Sequence, residues 1–133
     1  MFVDKQNLYS EDQAITATAV SENAIDHGAG GAGAGSPLPL FAVVTEDFDN
    51  LTDLTIALQE SSDDGDSDSY ADKMVSPAIP LASLTAGTMI FLGTIPPDTE
   101  RYTKLNYTVN GTEPTAGKIT AGIALDLQSN GLV

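Results

Sequence analysis

The chain has 133 residues, with 5 Lys and Arg against 19 Asp and Glu, one His, no Cys, no Trp and a formal net charge of −14. That length holds about one domain core. The missing thiols and second His exclude disulfide scaffolds, thiol nucleophiles, zinc ribbons, iron–sulfur clusters and multi-histidine metal sites. So acidic a chain is repelled by nucleic acid at long range, and no apolar run nears the roughly 18 residues of a membrane helix.

In chain order, Met1-Phe2-Val3-Asp4-Lys5-Gln6 has neither the basic nor the apolar region of a secretory signal. Its apolar residues read as an exposed contact segment. Ile15 to Val20 reads as the first strand. Gly28 to Gly35 alternates Gly and Ala and reads as a linker, and Ser36-Pro37-Leu38-Pro39 continues it in extended form. Leu40 to Val44 is a strand with both faces apolar. Leu54, Ile56 and Leu58 alternate with Thr55, Ala57 and Gln59, the period of a half-buried strand. Ser61 to Ser69 is a solvated Ser/Asp loop. Pro77 and Pro80 bracket an extended segment that cannot be a central strand. Met89 to Leu92 is apolar on both faces, as in a sandwich interior or an interface, and Ile95-Pro96-Pro97-Asp98 ends it. Leu105, Tyr107 and Val109 form a strand closed by Asn110-Gly111. Thr115-Ala116-Gly117 opens the last strand, with Ile119, Ala121, Ile123, Leu125 and Leu127 on one face. No stretch carries helical apolar spacing, and Thr occurs 14 times. The expected fold is all-β, a sandwich or barrel of short strands in one domain spanning 1–133.

Few motifs point to chemistry. Gly28-Ala29-Gly30-Gly31-Ala32-Gly33 matches the dinucleotide fingerprint in letters only, because an extended Pro-rich segment follows where a helix must begin. Gly111 to Lys118 has five residues between its glycines, not the four of a phosphate loop, and Ile119 stands where Ser or Thr should bind the metal. Asp63, Asp64, Asp66 and Asp68 are hard ligands for Ca²⁺. Yet Ser69 and Val75 occupy the Gly and Glu positions of an EF-hand loop begun at Asp64. His27 has no second ligand and no nucleophile motif beside it. The expectation is a non-enzyme without cofactor or bound metal.

Other segments resemble a known family. Met1 to Ser10, Gln13-Ala14-Ile15-Thr16-Ala17-Thr18-Ala19 and Asn23-Ala24-Ile25-Asp26 resemble the capsid cement proteins of short-tailed bacterial viruses. So do Leu54 to Asp63 and Gly117-Lys118-Ile119-Thr120-Ala121-Gly122-Ile123, and the segments come in the same order over most of the chain. The resemblance implies a jelly-roll β-sandwich. It implies a structural protein on the outer face of an icosahedral shell, made in the host bacterial cytoplasm. There it would clamp neighbouring major capsid protein subunits as a homodimer, with a trimer as the alternative. It implies no membrane and no nucleic-acid partner.

The residues chosen for partner contact are Phe2, Val3 and Leu8 near the start, and Gly30, Gly33, Pro37, Leu38 and Leu40 in and after the Gly/Ala-rich segment 28–39. Extended apolar or small-residue segments of this kind can lie along another protein's sheet edge. Two other readings compete. One is a carbohydrate- or host-surface-binding jelly roll. The other is a Ca²⁺-dependent module built on the acidic loop 61–69.

Overall fold

The computed structural model describes residues 2–28, 38–96 and 98–126, with the backbone alone at 2–6, 125 and 126. Among the described residues, ten strands run in chain order: β1 Phe2–Ala14, β2 Ala19–Val20, β3 Ile25–Asp26, β4 Pro39–Glu46, β5 Leu51–Ser61, β6 Ala71–Val75, β7 Ile79–Pro80, β8 Met89–Thr94, β9 Tyr102–Gly111 and β10 Lys118–Asp126. One 3₁₀ turn, Leu81–Ser83, follows Pro80. The fold is an all-β sandwich of two antiparallel sheets. Sheet A has the order β1-β10-β4-β8. Sheet B has the order β2-β9-β5-β6, with β3 also on β9 and β7 also on β5.

The inner faces follow the period-2 pattern. Leu40, Ala42 and Val44 of β4 and Ile119, Ala121 and Ile123 of β10 meet Leu54, Ile56 and Leu58 of β5 and Leu105 and Tyr107 of β9. All eleven are buried, at 4% exposure or less. Each strand thus gives one face to a common core, the cheapest way for two sheets to hide apolar area.

Two expectations need correction. The first long strand is β1, not Ile15 to Val20. Ile15 lies past the end of β1, fully buried, with its N–H donated to the Gly117 carbonyl at 3.1 Å. Only Ala19 and Val20 pair, with Tyr107 and Asn106. A buried Ile at a strand end has the same apolar signal as one within a strand, so periodicity alone cannot separate them. The opening residues are likewise a paired strand: Phe2 faces Asp126 and Val3 faces Ala124.

Turn chemistry fixes the last strand. The Asp49 carboxylate accepts from the backbone N–H of Thr115 and Ala116 and from the Thr115 hydroxyl. Gly117 follows at φ +139, where a Cβ would stand 2.5 Å from Phe48 Cδ2. Only Gly fits both the backbone and the space.

Candidate functional site

β1 carries a bulge that decides how the sheets are joined. Leu8 pairs with Gly122 and Ser10 with Ala121, so Tyr9 is the extra residue. Tyr9 and Ser10 are consecutive, yet both are fully buried and both reach across the core. The Tyr9 hydroxyl is 2.6 Å from Thr103 Oγ1, and Ser10 Oγ is 2.7 Å from the Tyr107 hydroxyl. His27 Nε2 meets the same Thr103 oxygen at 2.8 Å. Burial pushes both phenols up and the imidazole down, so all three stay neutral near pH 7. Beside them, two hydrogen bonds from Arg101 and one from the Gly28 N–H hold Asp26 near a pKa of about 2. The Tyr9, Thr103 and Tyr107 side chains are sealed from solvent, and the group is an inter-sheet clamp.

The acidic loop is bonded to itself. The Asp63 carboxylate accepts from the N–H of Ser67 at 2.8 Å and of Asp68 at 3.0 Å. Asp68 accepts from the N–H and hydroxyl of Ser62. Those bonds hold both carboxyls below the usual range. Among the described residues no three acidic or His side chains converge as a metal site requires. Beside this loop lies an open cleft of about 470 Å³, lined by residues that include Glu22, Asn23, Asp64, Tyr70 and Lys104. Its one aromatic ring is engaged. Lys104 Nζ stands 4.1 Å from the Tyr70 centroid, a Cβ on Gly65 would lie 3.3 Å from the ring, and the hydroxyl donates to Asp64. Among the described residues that line the cleft, no free ring is left for a sugar to stack on.

The apolar surface lies elsewhere. Ile90 and Leu92 of β8 pack against the core, while Met89 and Phe91 point outward at 41% and 58% exposure. Leu92 faces inward by simple alternation after Ile90, and it is also the extra residue of a bulge, so Gly93 and not Leu92 pairs with Leu40 while Phe91 pairs with Phe41. Phe91 is the exposed end of a register row across sheet A, from the half-buried Leu8 through Gly122 and Phe41, which are both buried. Next to β8, a groove of about 410 Å³ is lined by Ser76 to Pro80, Ser83 and Thr88 to Leu92. None of these residues is charged.

The residues chosen from sequence scatter relative to this surface. Leu8 is half-buried and shares the outer row with Phe91. Leu38 is half-buried and packs against the core. Leu40 is fully buried, so it is a core residue and not a surface contact. Phe2 and Val3 are strand residues paired to β10. Gly30, Gly33 and Pro37 lie outside the described residues. Met89 and Phe91 lie outside that partner-contact set. Their signal was a run apolar on both faces, which says that a strand is covered twice but not by what.

The family model described as Bbp16 matches residues 9–123, which include all of β2 to β9. No curated protein matches the chain.

Proposed function

The chain belongs to the Bbp16 family, and from there we propose that it is a structural cement protein. It binds the outer surface of an icosahedral phage capsid and clamps neighbouring major capsid protein subunits. It acts as a homo-oligomer and stabilises the DNA-filled shell from outside.

One observation carries this reading beyond the sequence resemblance. Met89 and Phe91 sit exposed at a sheet edge beside a groove with no charged residue among its described lining, the form of a protein-docking surface, and this supports the homo-oligomer part of the reading. The strand order supports the jelly-roll form. With β2 and β3 taken as one interrupted strand, and β6 and β7 as another, eight strands remain. The sheets then run 1-8-3-6 and 2-7-4-5. That is the order of two interlocked Greek keys. The physical role follows from mass action. A clip bridging two shell subunits must detach before they part, and repetition over a symmetric shell turns modest affinity into large total stabilisation.

The test is to purify particles made with and without the chain and heat them. Co-purification in fixed ratio with the major shell protein, and a lower rupture temperature without the chain, are the expected results. Particles that lack the chain, or rupture at the same temperature without it, overturn the reading.

A further inference from the structure

We propose that the β8 edge is where two copies of this chain pair, strand beside antiparallel strand, so that sheet A continues from one copy into the other. The inference rests on the proposed function only for the expectation of a homo-oligomer.

The sheet edges differ in how they are protected. An outer strand offers unpaired N–H and C=O groups, and proteins blunt such edges with charge, brevity, Pro or bulges. β1 has exposed Glu11 and Asp12 and four register shifts along its pairing with β10. β2 and β3 are two residues each. β6 bears Asp72 and Lys73, and β7 is two residues ending in Pro80. β8 has six residues, Met89-Ile90-Phe91-Leu92-Gly93-Thr94, with no charge and no Pro. Its bulge lies at Leu92, so Met89 to Phe91 pairs regularly with Val43 to Phe41 and leaves a regular outer side. Among the described strands, β8 is the edge left unguarded.

Its occupant must be neutral and extended. A basic segment would be met by acidic side chains, and there are none among the described residues of the groove. The described strand that fits this requirement is β8 itself. Antiparallel pairing of one strand with its own copy is the isologous two-fold contact. It sets Met89 and Phe91 of each copy beside those of the other on one sheet face. It also ends the assembly at two, because both open edges are used and the remaining ones are guarded. Two chains of −14 approach here with least local repulsion, since no charged side chain is among the described residues that line the groove.

The test uses the full chain alone in sedimentation and light scattering over a concentration series. The expected mass is twice the 13.8 kDa of the chain. M89K/F91K should return it to the single-chain mass with its circular dichroism unchanged, while Val20→Lys, at an exposed residue of β2, leaves the dimer intact. A second variant guards against misfolding. Phe91→Cys places the sole thiol of the molecule at the contact, and a short bis-maleimide should join two copies, whereas Val20→Cys should stay uncoupled. A wild-type monomer at all concentrations overturns the proposal. So do open-ended polymers, a dimer that survives M89K/F91K in folded form, or equal coupling of both Cys variants. A monomeric chain that still binds particles would sink the pairing and leave the shell role. A dimer absent from particles would do the reverse.

Discussion

Two tyrosine hydroxyls join the sheets across the core. Tyr107→Phe leaves Ser10 Oγ with the Gln13 side-chain oxygen, 2.7 Å away. Tyr9→Phe leaves Thr103 Oγ1 with His27. A buried hydrogen bond contributes about 1 kcal/mol net, and an orphaned partner costs a further 1–3 kcal/mol or so. Here each partner keeps a second bond, so each variant should lose about 1–2 kcal/mol, read from the urea midpoint. Unchanged midpoints in both would remove the clamp. His27 adds a pH dependence to the same group. Burial, partly opposed by the Asp26 charge, lowers its pKa below 6.5 in the folded chain. The unfolded chain therefore takes up the proton first, and stability falls as pH drops through about 6.5 toward the folded value. The urea midpoint should be lower near pH 5.5 than near pH 7, and His27→Gln should shrink that difference. Asp26, held near 2, keeps its charge throughout this window.

The coupling of β1 to β10 depends on one small residue. A Cβ on Gly122 would stand 2.5 Å from the Asn7 carbonyl oxygen and 3.0 Å from Leu8 Cα. Both are backbone atoms of β1, so the strand itself must move. Gly122→Ala should cost about 1–3 kcal/mol. The loss should appear first as faster amide exchange along β1, while β5 and β9 keep their protection. Uniform loss across both sheets would mean that β1 is not a separable edge. The same pairing changes how truncation must be read. Removing residues 1–7 takes Phe2 and Val3 from β10, so it tests folding as well as contact. The sequence pattern reached the interior strands well. β5, β9 and β10 alternate cleanly because each has one face on the core. β1 stayed hidden because its bulges break the period: Tyr9 and Ser10 both point inward, and alternation cannot show that. β6, Ala71–Val75, has no fully buried residue and so gives no apolar period at all. Ile15 misled in the opposite sense, since a plug at a strand end has a core residue's hydropathy without a strand's backbone.

At the scale of the molecule, charge and apolar surface are separated. Most Glu and Asp residues lie in the loops or in β1, while Met89 to Leu92 and Ser76 to Pro80 carry none. The sequence placed that run in a sandwich interior or an interface. Only the strand order could decide, because edge position is a property of topology and not of any window of residues. The separation predicts how salt acts on pairing. Two copies of net charge −14 repel at long range, and the contact itself has no ion pair to weaken. Added salt shortens the Debye length from about 30 Å at 0.01 M to about 8 Å at 0.15 M, which removes repulsion between the bodies of the two chains. Burial of Met89 and Phe91 is untouched by screening at these concentrations. Dimer affinity should therefore rise with salt over this range, as read by sedimentation equilibrium. Affinity that falls with salt would mean that ion pairs hold the copies together, and that contact would have to lie away from β8, on a charged face of the sandwich.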